Sequence, residues 1–265
     1  MIYFLHIGFD GSNYHGWQWQ PRATSVQETI EKALHKIFKA PVTVYGCGRT
    51  DSGVHASQYM MHIDIEHNVD FDLKFRLNKN LPEDITVYEV LEMEEGRHSR
   101  YDANSRTYDY FIHLYEDPVL HKYSSFYNRL TDLDYESMQK AAAILPFYSD
   151  FKPVCKRPDD YKHTHCKVTD ARLYVSHDGQ RMRFTITADR FLRSMVRLLV
   201  AYLLKIGTRK LSFEEFENIL KNTIVVPNMI LAMPNGLYLS RVEYPYLKIT
   251  PREDFSSFLK VGLGD

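Results

Sequence analysis

Apolar positions along the chain fall into two successive runs with the same order of elements. In the first run Tyr3, Leu5, Ile7 and Phe9 alternate with polar or small residues, the period of a strand. A helix is expected from Ser25, because Ser25 and Glu28 have the spacing of a capping box, in which each side chain satisfies the other's backbone N–H. Val26, Ile30, Ala33, Ile37 and Phe38 give that helix an apolar face, and Pro41 stops it. Val42 to Tyr45 reads as a second strand ending at Gly46, and Tyr59, Met61, Ile63 and Ile65 alternate along a third. A short helix around Asp70 to Asn78 and a strand from Ile85 to Leu91 complete the run.

The second run opens with Tyr108, Tyr110, Ile112 and Leu114 on a strand, followed by a helix from about Asp134 to Leu145. Val168 to His177 and Arg181 to Ala188 form an expected hairpin, with Asp178 and Gly179 as a two-residue turn. A long amphipathic helix spans Phe191 to Ile206, another starts at Ser212 with Glu215 in a second capping box, and Gly236 to Tyr244 closes the chain's regular structure with a strand. Strand, helix, two strands, helix, strand is the order of the split βαβ unit, as in ferredoxin-like and RRM-like domains. The expected fold class is therefore α+β, with two related halves, 1–104 and 105–265, meeting near Asn104. Helices would cover one face of each antiparallel sheet, and the open faces would border a cleft. No low-complexity linker separates the halves, so they are expected to pack as one body.

Composition narrows the function. The 265 residues are 44% hydrophobic, as in a core-forming globular protein, and no apolar run approaches the roughly 20 residues that cross a bilayer. The N-terminus, Met1 to Asp10, reads as a strand and not as a signal peptide or anchor. Three cysteines, Cys47, Cys155 and Cys166, cannot all pair, which fits a reducing, cytoplasmic setting. Cys155, His163, His165 and Cys166 include residue types that zinc accepts, but they lack the paired knuckles of a structural site, so no metal is expected. A formal net charge of −1 argues against indiscriminate coating of nucleic acid, so any such contact must be a local basic surface. Arg181, Arg183, Arg190, Arg193, Arg197, Lys205, Arg209 and Lys210, with Asp189 as the one acid among them, are a candidate for it or else a solvated helix face.

The segment richest in chemistry is Gly46-Cys47-Gly48-Arg49-Thr50-Asp51-Ser52-Gly53-Val54-His55-Ala56. Its glycines permit backbone angles and close approaches that side chains would forbid. It lacks the lysine and hydroxyl residue of a phosphate-binding loop, and taken by itself it could be a tight connection with a local Arg49–Asp51 ion pair.

This segment resembles the signature of the tRNA pseudouridine synthase A family, Gly-x-Gly-Arg-Thr-Asp-x-Gly-Val-His-Ala, in which the aspartate, here Asp51, is catalytic. Asp10-Gly11-Ser12 with Tyr14, Gly16-Trp17-Gln18 and Ser25 to Glu28 resembles the family's opening. Leu77-Asn78, Leu81-Pro82 and Asp84-Ile85 also match, as do His98, Arg100, Arg106, Tyr108 and Tyr110. Phe191 to Arg197 resembles the active-site helix, and Pro234 with Gly236 to Leu239 the closing strand. The chain departs from the pattern at Phe147 to Phe151, where a glycine and a histidine are missing, at Ala201, at Met229 to Met233 and at Phe9.

The resemblance implies a pseudouridine synthase fold with a central RNA-binding cleft, and an isomerase converting uridine to pseudouridine at positions 38 to 40 of the tRNA anticodon stem-loop. It implies a homodimer whose RNA cleft spans both subunits. Arg197 would pair with the catalytic carboxylate and Tyr108 would lie against the target base. Arg49, Arg100, Arg106 and Arg193 are the expected RNA contacts. The reaction neither gains nor loses an atom, so no oxidant, metal or nucleotide cofactor is expected. Asp51 must stay ionised in a site dry enough to hold a base, and a guanidinium nearby would favour the charged form. The rival readings are a single-stranded RNA reader of similar plan, for which the aromatic-rich strand motif is missing, and a non-catalytic paralogue, which should have lost Asp51 or Arg197.

Overall fold

A computed structural model describes residues 1–66, 68–222, 230–250 and 257–260. The chain is a mixed α/β protein with a mostly antiparallel sheet, and it divides into two units. One comprises Met1–Asn104 with the segment from Tyr238; the other comprises Ser105–Leu237 with the last helix.

The first unit runs β1 (Ile2–Phe9), α1 (Val26–Phe38), β2 (Val44–Gly46), β3 (His55–Asp64), α2 (Leu73–Asn80) and β4 (Ile85–Met93). β1 lies between β3 and β4 and is antiparallel to both, and β2 pairs with the far edge of β3. The alternation in β1 marks two covered faces, since every one of its residues is buried. The Phe4 and His6 face is closed by aromatic rings, Tyr244 at 5.6 Å and Tyr88 at 5.0 Å between centroids.

α1 is capped by Ser25, whose hydroxyl accepts the Glu28 N–H at 3.2 Å. The return half of the capping box is replaced, because the Glu28 carboxylate pairs with Lys32 at 2.6 Å. Val26, Ile30, Ala33 and Leu34 are buried, and the helix ends at Lys39 in the left-handed region, two residues before Pro41. β3 begins at His55, earlier than its alternation suggested, so the tail of the glycine-rich segment is itself strand.

The second unit runs β5 (Ser105–His113), α3 (Leu120–Tyr123), β6 (Ser125–Phe126), α4 (Tyr135–Ala143), β7 (Val168–Val175), β8 (Arg181–Ala188), α5 (Met195–Gly207) and α6 (Phe213–Leu220). β8 is antiparallel to both β5 and β7, and β6 adds in parallel to β5. The β7–β8 turn is wider than two residues: Ser176 and Arg181 close it with a backbone bond of 2.9 Å, and within it Gly179 takes φ 72°. α6 has the complete capping box, with Ser212 N–H to Glu215 at 2.7 Å and Glu215 N–H to Ser212 at 3.1 Å. β9 (Leu237–Glu243) pairs in parallel with β3 at Tyr238 and Leu239, and α7 (Ser257–Lys260) is the last described element.

α5 starts later than its apolar period implied. Ser194 holds φ 59°, which a non-glycine residue rarely adopts, and this ends the preceding segment before the helix begins. Phe191 to Ser194 therefore form a shaped lead-in outside the helix.

Candidate active site

Asp51 sits at the head of a connection between β2 and β3, half-buried, with the buried Val54 and His55 just beyond it. The connection is held by the segment after β1. Trp17 N–H donates to the Thr50 carbonyl at 3.3 Å, Gly53 N–H to the Tyr14 carbonyl at 3.1 Å, and Val54 N–H to the Asp51 carbonyl at 3.2 Å. Two glycines make this approach possible. A Cβ on Gly11 would stand 2.0 Å from the Val54 carbonyl oxygen, and one on Gly16, at φ 86°, would stand 2.3 Å from that of Thr50. These are backbone contacts, so no side-chain movement could relieve them.

The bracing segment is itself anchored. Tyr14 donates its hydroxyl to Asp84 at 2.5 Å, Asn13 its amide to the same carboxylate at 3.1 Å, and Asp10 N–H bonds the Asp84 carbonyl at 2.9 Å. Burial, reinforced by that carboxylate, pushes the Tyr14 hydroxyl well above the ordinary tyrosine range, so it stays a donor. His55 is fully buried, its Nδ1 accepts the Gly11 N–H at 3.1 Å, and its ring stacks on Tyr238 at 4.6 Å. Under the loop Trp17 stacks on Tyr59 at 4.1 Å, and the Tyr59 hydroxyl donates to the Gly48 carbonyl. The residues resembling the family's opening and those around Asp84 thus form the mount of the Asp51 loop.

Arg49 is exposed on the same loop, and it lines one groove with the exposed Arg100. These two expected RNA contacts come together in the first unit.

The second unit gathers the other expected residues. Tyr108 lies on β5, 9% exposed, with the Phe191 ring edge-on at 4.9 Å. Arg106, two residues earlier, donates to the Asp189 carbonyl at 2.9 Å. Tyr108 thus meets the lead-in to α5 and Arg106 the residues just before it, and the lead-in's form depends on Tyr161: its hydroxyl accepts the Arg193 N–H at 2.9 Å, leaving the Arg193 side chain exposed. Arg197, on the first turn of α5, donates Nε to the Ala232 carbonyl at 2.7 Å, and Ala232 N–H returns a bond to the Arg197 carbonyl at 3.2 Å. The departures at Ile230 to Met233 therefore lie on the segment that Arg197 holds; Met229 falls outside the described residues.

The basic stretch does not form one face. Arg183 pairs with the buried Asp109 at 2.8 Å, the two side chains being 12% and 2% exposed. Arg181 donates to the Leu259 carbonyl, and Arg209 pairs with Asp132 at 3.2 Å. The Asp109–Arg183 pair was not foreseeable from spacing, since 74 residues separate its members.

Among the described residues no group of three His, Cys, Asp or Glu could hold a metal ion. Burial pushes the thiols of Cys155 and Cys166 up to about 11 and about 12, which disfavours the thiolate a metal needs. Among the described residues no helix is long and apolar enough to cross a membrane.

A family model described as tRNA pseudouridine synthase matches residues 148–245, a span that includes Arg193 and Arg197 and excludes Asp51 and Tyr108. Over nearly the whole chain the relatives agree. A protein of Porphyromonas gingivalis named tRNA pseudouridine synthase A is 41% identical across 92% of this chain and 97% of its own length. Its namesake in Bacteroides fragilis is 41% identical across 92% and 96%. A Clostridium perfringens protein named tRNA pseudouridine synthase A 2 is 34% identical across 91% and 98%. With identity at this level over both units, the chain belongs to the tRNA pseudouridine synthase A family.

Proposed function

We propose that this chain isomerises uridine to pseudouridine in tRNA, at positions 38 to 40 of the anticodon stem-loop, with Asp51 as the catalytic carboxylate. The observation that carries the reading is the mounting of Asp51: a half-buried carboxylate on a loop whose backbone is pinned on both sides, within the family's signature. A group that must meet one sugar carbon benefits from such preorganisation.

The reaction breaks the bond between ribose C1′ and N1, turns the uracil, and joins C5 to C1′; the proton displaced from C5 is balanced by one gained at N1. Asp51 serves either as nucleophile at C1′ or as the base that takes a proton from the sugar. Arg197 partners the carboxylate and Tyr108 lies against the base. Arg49, Arg100, Arg106 and Arg193 bind the RNA, which must give up a stacked nucleotide at a cost of a few kcal/mol. We read each unit as a split βαβ half of the α+β pseudouridine synthase fold. The strand order β4-β1-β3-β2 in the first unit supports this. The working form in this reading is a cytoplasmic homodimer that needs no cofactor.

The test incubates pure protein with an unmodified tRNA transcript and maps pseudouridine at each position. Formation at 38 to 40 is expected, and Asp51→Asn, an isosteric change, should abolish it while tRNA binding persists. Turnover by Asp51→Asn would refute the role of Asp51. Binding without any turnover by the wild type would establish the non-catalytic alternative.

A further inference from the structure

The groove shared by Arg49 and Arg100 is more than a pair of charges. It is a cavity of about 180 Å³ whose walls include Trp17, Tyr45, Arg49, His98, Arg100 and Tyr101, and no carboxylate lines it. Along it the rings form a ladder. Tyr45 stacks on His62 at 4.9 Å and 18°, His62 meets His98 edge-on at 4.5 Å, and His98 meets Tyr101 at 4.3 Å. Tyr45 rests one face on His62 and Tyr101 lies tilted by 35° against His98, yet Tyr101 is 76% exposed and Tyr45 45%. Large rings on a surface this wet need a reason, since their burial elsewhere would be favourable.

The ladder is built and not incidental. Nδ1 of His98 accepts the N–H groups of Arg100 and Tyr101 at 3.0 and 3.4 Å, which shapes the turn that presents both side chains. His98 N–H donates to Asp102 at 2.9 Å, the Tyr246 hydroxyl donates to the same carboxylate at 2.7 Å, and the Ser99 hydroxyl donates to the Tyr45 carbonyl at 2.8 Å. Burial holds His98 below the ordinary histidine range and His62 at about 4, so the ladder is uncharged at neutral pH and its positive charge belongs to the arginines.

We propose that this groove is a subsite for one unpaired nucleotide of the RNA other than the uridine being isomerised, its base stacked on the exposed tyrosine rings and its phosphate held by Arg49 and Arg100. Aromatic faces accept any base, and guanidinium groups supply the counter-charge. Arg49 is two residues from Asp51 on the same pinned loop, so the subsite fixes RNA beside the catalytic carboxylate. The inference rests on RNA being the substrate.

The experiment uses the full chain as wild type, Tyr101→Ala, Tyr101→Phe and Tyr45→Ala, with an unmodified tRNA transcript at fixed salt. Dissociation constants come from titration, and KM and kcat from pseudouridine formation. Loss of a stacked base should weaken binding by Tyr101→Ala roughly 5- to 150-fold, with the fall in kcat/KM carried by KM, while Tyr101→Phe stays within about two-fold. Tyr101 is largely exposed, so melting temperature should not move and a folding defect is separable. A transcript carrying 5-iodouridine outside positions 38 to 40 should cross-link on irradiation to a peptide containing Tyr45 or Tyr101. Unchanged tRNA affinity in both alanine variants overturns the subsite, and a shifted sedimentation coefficient alongside it would mark the groove as a protein interface. If the wild type binds tRNA but forms no pseudouridine, the proposed activity fails while the affinity ratio still judges the subsite. If it binds no tRNA, both fail.

Discussion

Replacing Arg197 separates two effects that one guanidinium is expected to have. In the structure its Nε donates to the Ala232 carbonyl at 2.7 Å, one of the five N–H donors of the group. A hydrogen bond from a charged donor is worth about 1.5–3 kcal/mol, and a chain of this size shifts its melting temperature by roughly 2–4 °C per kcal/mol. Arg197→Met should therefore melt about 3–12 °C lower. In the proposed site the same side chain also partners the Asp51 carboxylate. Removing one preorganised charged donor typically lowers kcat by about 10²–10³, so turnover should fall by that factor at temperatures where the variant is fully folded. The assay is a double-mutant cycle of single-turnover pseudouridine formation with Arg197→Met and Asp51→Glu, which keeps a displaced carboxylate and measurable activity. Partners that act as a unit give a combined loss well short of the product of the single losses. Additive losses would show that Arg197 does not act through Asp51, and an Arg197→Met variant with wild-type turnover and weakened tRNA affinity would show that it grips the RNA backbone instead.

Tyr108→Phe should retain far more activity than Tyr108→Ala, because in the proposed site the ring supplies the contact with the base; equal loss in the two variants would remove stacking as its role. Asp109→Ala strands the largely enclosed Arg183 guanidinium and should cost about 3–5 kcal/mol, read as a drop in urea midpoint that Asp109→Leu combined with Arg183→Met largely recovers. A cost below about 1 kcal/mol would mean the pair behaves as if solvated. Burial, with a neighbouring histidine in each case, holds His62 and His113 at about 4, so the folded chain binds fewer protons than the unfolded one between pH 6.5 and 4. Stability should be complete above pH 6.5 and fall by roughly 3 kcal/mol per group as pH drops through that window. His113→Phe, which keeps a ring against Phe126, should remove about half of the slope in urea melts, and a flat profile between pH 7 and 5 would reject the account. Arg193→Gln should flatten the dependence of log affinity on log salt by about 0.7–0.9; an unchanged slope would mean its exposed side chain meets no phosphate.

The strands were legible because their signal is local. A period of two in Tyr3 to Phe9 and in Tyr108 to Leu114 requires no knowledge of the rest of the chain, and Ser212 with Glu215 carries its own helix start. What the period could not reveal was the second covered face of β1, because Tyr88 and Tyr244, whose rings close it, lie far along the chain. The start of α5 failed for a similar reason. Phe191 to Ser194 continue a helical pattern, but the Tyr161 hydroxyl claims the Arg193 N–H and Ser194 turns into the left-handed region. A distant acceptor outweighed a weak local preference.

The same division runs through the site. Asp51 could be singled out because its segment is contiguous, whereas the reason for Gly11 and Gly16 is visible only once their backbone meets Val54 and Thr50. The arginines err in the opposite direction. Arg181 and Arg183 read as RNA-facing charge because a sequence counts guanidinium groups without showing which acceptors they already hold, and in the folded chain one bonds a carbonyl and the other a buried carboxylate. A charge already satisfied inside the protein has little to gain from a phosphate, since breaking its bond leaves a buried acceptor unpaired. Arg49, beside the tyrosine ladder, and Arg193, on the α5 lead-in, are instead exposed on shaped backbone, and for that reason the RNA contacts should be sought there before Arg181 and Arg183.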